Sequence, residues 1–183
     1  MKIYYFYPQW HQVSFTFVAR QYIRMLRRLY NVEEIDEQAF DTYRPSPGNS
    51  AFIHPFLYIA GRKPDSTILT MMMFDNSVAV DVADSDALSV KAVSLINYAS
   101  HVIVPSTFAK NVYVNSGVRV PVYVVPHALQ PVFTYPERFK CAYDWCGIIE
   151  KARRRYKTLL LYALWHSEWR KGADLVADTV GRL

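Results

Sequence analysis

Cysteine is almost missing from this chain: Cys141 and Cys146, spaced C-x4-C, are the only two in 183 residues. No second pair completes a four-ligand set, and the histidines lie far off in sequence, which argues against a zinc site. Two free thiols are the plain account of the pair. A small loop disulfide is the alternative, favoured if the source is a hyperthermophile. Long apolar runs are missing too, since none reaches the roughly 18 residues that span a bilayer. The opening, Met1 to Pro8, is basic then apolar but has no small-residue cleavage site. It reads as a buried strand, no signal peptide is expected, and the expected location is the cytoplasm, extending to peripheral contact at the inner membrane face. There is no G-x-G-x-x-G or Walker loop to cradle a phosphate and no nucleic-acid-binding motif, so nucleic acid is disfavoured as a partner. No internal repeat beyond strand–helix alternation and no low-complexity tract occurs.

What is present is a large apolar supply. About half the residues are apolar and 15% are aromatic, enough for a sizeable core and against wholesale disorder. The formal charge of +5 favours anionic partners without choosing among nucleotide sugars, nucleic acid and acidic lipid.

Residues 2–7 read as a first strand stopped by Pro8. Ser14 is placed as the cap of a helix reaching about Tyr30, with Phe15, Val18, Tyr22, Leu26 and Leu29 recurring at helical spacing toward a sheet. Arg20, Arg24, Arg27 and Arg28 form a basic stripe on its other face. A solvated helix face is the plainer account of that stripe, and docking on an anionic membrane the sharper one. Val32 to Ile35 is a second strand. Pro55 inside the apolar stretch 51–60 argues for an edge strand or a short helix there. Ser66 to Phe74 reads as a buried strand ending at Asp75 and Asn76, its three successive methionines serving packing and not metal. A polar loop from Asp81 to Asp86, with solvated carboxylates, leads to a helix over about 87–99.

The last third is the most informative. His101 to Val104 is an apolar strand followed by Ser106, which caps a helix to about Asn115, with Ser116 and Gly117 as its stop. Val122 to Val125 is another strand, tipped by Pro126 and His127. Leu159 to Leu164 is a third, followed by Arg170, Lys171, Gly172 and a helix from Ala173. Alternation of this kind predicts an α/β fold with a parallel sheet and helices on both faces. In such sheets ligands collect at the carboxyl ends of the strands, so three polar strand ends in succession suggest one cleft. Residues 1–133 are expected to be one domain, 134–157 a connector, and 158–183 the first strand–helix unit of an incomplete second domain.

Residues 101–133 and 159–180 resemble family 4 of the retaining glycosyltransferases, whose fold is the two-domain, Rossmann-like GT-B architecture. The matching runs are Val104-Pro105-Ser106-Thr107-Phe108-Ala109-Lys110, then Ser116-Gly117-Val118, then Val125-Pro126-His127-Ala128-Leu129, then Lys171-Gly172-Ala173-Asp174-Leu175-Val176. Val82 to Asp86 is similar to archaeal members in particular. The resemblance implies transfer of a hexosyl unit from a nucleotide-diphosphate sugar to a sugar or lipid-linked hydroxyl acceptor with retention, and no bound cofactor or metal. It implies donor-phosphate contacts from Lys171 and Gly172, with His166 at the family's arginine position and Arg170 able to supply the lost charge. Fixed cations and a helix start there would meet the charge that builds on the departing diphosphate. On the acceptor side, His11, Asp75, Asn76, Ser106, Lys110 and His127 are the candidates, while no catalytic residue is assigned. The departures are a glycine-free first loop, Ala128 and Gln130 in place of the family's glycine and aspartate, and the missing ribose-gripping glutamates. They lead to the expectation of an incomplete, poorly active portion of such an enzyme. Two alternatives stand beside it: a nucleotide- or nucleic-acid-binding α/β module, and a protein that forms a homodimer through an open strand edge.

Overall fold

The computed structural model describes residues 2–10, 13–128, 145–159 and 172–182. Two units divide the chain, Met1–Leu129 and Gln130–Leu183. In the first, strands and helices alternate: β1 (Lys2–Tyr7), α1 (Ser14–Leu26), β2 (Asn31–Asp36), a 3-10 helix (Glu37–Thr42), β3 (Ser50–Ile53), α2 (Phe56–Arg62), α3 (Pro64–Met71), β4 (Asn76–Val80), α4 (Val90–Ile96), β5 (His101–Val104), α5 (Thr107–Asn115) and β6 (Val122–Val124). All six strands pair in parallel, in the order β2-β1-β3-β4-β5-β6. This is the expected α/β, Rossmann-like sheet. The chain runs from β1 to β2 on one side and returns to β3 on the other, so the order reverses between β1 and β3. In open parallel sheets that reversal parts the crossover helices and opens a crevice at the carboxyl ends.

Why these residues make a doubly covered sheet is visible in β1, whose sequence KIYYFY is apolar on both faces after Lys2. Alternate side chains leave a strand on opposite faces. Tyr4 and Phe6 enter the larger core with Phe40, Ile53, Ala79, Val102, Val104 and Tyr113. Ile3, Tyr5 and Tyr7 enter a smaller core with Ala19 and Ile23 of α1 and Val32 of β2.

Several expectations are corrected here. Residues 66–74 do not form a strand. Pro64 opens α3 at its first turn with Asp65 beside it, and Thr67, Thr70 and Met71 are buried at helical spacing. An apolar run of this length does not by itself distinguish a buried strand from a buried helix. The strand is the next segment, β4, and of the three methionines only Met71 packs, Met72 being 73% exposed. Around Pro55, a central strand and a short helix both form. Pro55 falls after β3, at the N-cap of α2, where its missing N–H breaks no ladder bond. Val13, not Ser14, occupies the N-cap of α1, and that helix ends at Leu26, leaving Leu29 exposed. Asp81 is buried and so is not a solvated loop carboxylate.

The expected cap at Ser106 is present: its side chain accepts a hydrogen bond from the Ala109 N–H at 3.1 Å. Ser106→Ala is expected to lower unfolding stability by about 1 kcal/mol, read from urea denaturation, with Ser106→Asp close to the parent. Gly117, at φ 101°, follows the helix in a conformation that only glycine adopts without strain.

The second unit contains α6 (Trp145–Arg155) and α7 (Ala173–Gly181). Arg153, Arg154 and Arg155 stand in the last turn of α6, where cations complement the helix dipole. Gly172, at φ 68°, holds the N-cap of α7 in left-handed backbone. The expected strand 159–164 lies outside the described residues beyond Leu159, as do Cys141 and the side chain of Cys146.

Candidate functional site

At the carboxyl edge beside the β1/β3 switch point, one helix and three strand ends come together. β3 gives way to His54, whose N–H still donates to the Phe6 carbonyl at 2.9 Å and so carries the ladder one residue past the strand. Its ring turns to the α1 side and contacts the Tyr5 hydroxyl through Nδ1 at 3.2 Å. Phe15 meets the ring edge-on at 5.6 Å between centroids, and Tyr22 stacks at 6.2 Å and 26°. The same Tyr22 reaches the far side of the sheet. Its hydroxyl donates to the carbonyl of Val125, just past β6, at 2.9 Å, and its ring meets His127 at 6.3 Å. One helix therefore clamps two histidines from strands that are not neighbours, with an aromatic ring between them.

The electrostatics of this cluster follow from burial. His54 is wholly inaccessible to solvent, and its Nε2 has no hydrogen-bond partner among the described residues. Burial, aided by His127, pushes its pKa down to about 3, so the ring is neutral at physiological pH. Partial burial also lowers the pKa of His127. If the Tyr5 hydroxyl donates to Nδ1, Nε2 carries the ring proton and is a donor in search of an acceptor.

Asp81 ends β4 at the same edge. Its two oxygens accept from the Leu57 N–H at 2.6 Å and the Val82 N–H at 2.8 Å, so the carboxyl pins the start of α2 to the sheet. Burial raises its pKa to about 7, against the pull of those two N–H groups. The Tyr113 hydroxyl, which feels the Asp81 charge, is buried without a hydrogen-bond partner among the described residues. This edge thus holds two enclosed ionisable groups, His54 and Asp81, whose neutral forms burial favours.

Of the residues singled out in the sequence, His127, Ser106 and Lys110 lie at this carboxyl edge. Ser106 is engaged as a cap, and Lys110 is exposed in the first turn of α5. Asp75 and Asn76 lie at the opposite edge, because they start β4 and do not end a strand. Asp75 accepts from the Gly48 N–H at 3.2 Å and donates its own N–H to the Asn49 carbonyl, which is a turn-forming role. Gly172 belongs to the second unit, and a Cβ there would meet only Leu175 at ordinary distance, so its left-handed backbone and not crowding explains the glycine. His11, His166, Arg170 and Lys171 lie outside the described residues. Sequence reasoning missed His54, Tyr22 as a clamp, and Asp81. The signal for His54 was a histidine directly before a proline at the end of an apolar run, obscured once Pro55 was placed inside the strand. Among the described residues no group of three or more histidine, cysteine or acidic side chains is placed to hold a metal ion. No described helix is long and apolar enough to cross a membrane.

Fold and site together define a parallel α/β unit whose carboxyl edge holds a packed cluster of aromatic rings and histidines. The chain is 33% identical over 180 residues to "Uncharacterized protein 356" of Sulfolobus islandicus rod-shaped virus 1, a match that takes in 94% of this chain and 50% of that protein. It is 30% identical over 112 residues to "Putative glycosyltransferase 45" of Sulfolobus islandicus filamentous virus (isolate Iceland/Hveragerdi), covering 58% of this chain and 28% of that protein. The chain thus spans about half the length of the first relative and little more than a quarter of the second. No family model and no solved structure matches it.

Proposed function

We propose that this chain carries the acceptor-side part of a glycosyltransferase of the retaining, GT-B kind, which moves a hexosyl unit from a nucleotide-diphosphate sugar to a sugar or lipid-linked hydroxyl. The observation that carries the reading is the reversal of strand order between β1 and β3, where open parallel sheets bind ligands, in a chain similar to the viral protein "Putative glycosyltransferase 45". Its lining suits the acceptor. Part-exposed aromatic rings such as Phe15 and Tyr22 offer flat apolar surface to the C–H face of a sugar, and the exposed His127 beside Tyr22 can pair with a hydroxyl. His127 and His11 join this acceptor set. Lys171, with Arg170, His166 and the backbone at Gly172, forms the donor-phosphate set. There, cations just before a helix start would offset the negative charge that grows on the leaving diphosphate.

Purified protein incubated with radiolabelled nucleotide-diphosphate hexoses and a panel of simple sugar and polyprenyl-phosphate acceptors tests this. Transfer is expected to be very slow or undetectable. Acceptors should nevertheless bind saturably, perturbing the NMR signal of His127, and His127→Ala should abolish the binding. Brisk turnover would remove the claim that the chain is only a part of the catalyst. No saturable acceptor binding, together with nucleic-acid binding that collapses with added salt, would replace the reading with that of a nucleic-acid module.

A further inference from the structure

The loop that leaves β1 is fastened on both sides, and its largest side chain stands in water. Toward α1, the Thr16 hydroxyl donates to the Pro8 carbonyl at 2.8 Å, a buried bond between the loop and the helix. Toward β2, the Gln9 N–H donates to one carboxylate oxygen of Asp36 at 3.1 Å. The other oxygen of Asp36 accepts the Gln38 N–H at 2.9 Å, which holds the carboxylate in turn. Trp10 follows Gln9 directly. Its side chain is 77% exposed, the most exposed aromatic residue among those described.

Neither anchor uses the indole, so the fold gains little from it while a large apolar ring stays hydrated. Single apolar residues in water are ordinary on a protein surface, and position is what separates this one from the rest. Trp10 stands just past the carboxyl end of β1, the strand at which the sheet order reverses, where open parallel sheets bind ligands. A tryptophan on a held loop is a rigid contact surface that loses little entropy on binding. The chemistry of the loop selects a neutral ligand. From Pro8 to Ala19 the chain holds no lysine, arginine, aspartate or glutamate, so the loop brings no such charge to a phosphate or an anionic headgroup. The negative face of an indole instead suits the apolar C–H face of a sugar ring.

We propose that Trp10 is the residue on which a pyranose ring of the acceptor stacks, so that the acceptor presents a sugar at this edge and not a bare polyprenyl phosphate. This rests on the acceptor-side reading of the carboxyl edge and narrows its substrate class.

The experiment titrates methyl α-glucopyranoside and methyl α-galactopyranoside into the purified full chain. It follows the Trp10 indole N–H signal by NMR, identified by its loss in Trp10→Phe. The signal is expected to shift saturably, with a dissociation constant on the order of millimolar. Trp10→Ala should weaken glycoside binding by at least about tenfold, and Trp10→Phe by only about threefold, because the smaller ring keeps a face to stack on. Urea midpoints of both variants should match the parent, which separates a lost contact from a lost fold. Glycosides that bind Trp10→Ala as tightly as the parent overturn the proposal and leave the acceptor-side reading standing, since the His127 signal still reports it. No shift with either glycoside also overturns it. If a polyprenyl phosphate moves the Trp10 signal instead, the ring serves a lipid acceptor, and the acceptor-side reading survives without this inference.

Discussion

Replacing Asp81 by asparagine is expected to make the protein strongly acid-sensitive, and replacing His54 by glutamine to make it more stable in acid than at neutrality. Both follow from linkage between proton binding and folding. The pKa of Asp81 rises from 3.8 when unfolded to about 7 when folded, so the native state holds its proton more tightly. Stability from this group is present at low pH and is lost as pH rises from about 4 to about 7. His54 behaves oppositely. Its pKa falls from 6.5 unfolded to about 3 folded, so stability is full above pH 6.5 and is lost as pH falls toward 3. Between about pH 4 and 6.5 the native protein carries its proton on Asp81 and the unfolded chain carries one on His54. The two slopes cancel.

Removing either group exposes the other. Asp81→Asn should lose about 1.4 kcal/mol of stability per pH unit relative to the parent as pH falls below 6.5. His54→Gln should lose a similar amount per unit as pH rises from 4 to 7, totalling roughly 4 kcal/mol. Urea unfolding at several pH values checks this, because only the difference in slope from the parent matters. The fixed cost of facing the Leu57 or Val82 N–H with an asparagine amide shifts the whole curve without tilting it. Variants with the parent's slope would show that neither group is held as its burial implies.

The second large effect is expected at Phe6. It is fully buried in β1, with its ring 4.7 Å from Phe40, 5.4 Å from Tyr43 and 6.1 Å from Phe74. Phe6→Ala removes the ring that three others pack around and leaves a cavity in the larger core. The loss should be about 3–5 kcal/mol, against about 1 kcal/mol for Phe6→Leu, measured as a shift in urea midpoint at constant slope. Trp10→Ala, a few residues on in the exposed loop, should change stability by no more than about 0.5 kcal/mol. A loss below about 1 kcal/mol for Phe6→Ala would mean that the aromatic cluster closes over the gap, and that the carboxyl end of β1 is not held by it. The point bears on function, because the Phe6 carbonyl accepts the His54 N–H and so places His54.

Local rules carried much of the fold. β1 was legible as an apolar run closed by Pro8, and α5 from Ser106 at its start and Ser116-Gly117 at its end, because caps and stops act within a few residues. Residues 64–80 were not legible in the same way. The start signal was Pro64-Asp65, but the apolar run behind it fits a helix or a strand equally, and only packing against the 3-10 helix and α2 chooses the helix. That one exchange moved Asp75 and Asn76 from the carboxyl edge to the amino edge, and with them two candidate ligand contacts.

The amino-acid order alone determined that strands and helices alternate, hence that the sheet is parallel, because periodicity and helix caps are properties of neighbours along the chain. Which strands lie side by side, and so where the order reverses, was decided only by the assembled core, where β3 pairs on the far side of β1 from β2. The histidine cluster is of that second kind. His54 and His127 stand 73 residues apart in the chain and meet only because Tyr22 of α1 packs between them, a contact made by side chains in space and by nothing local to either.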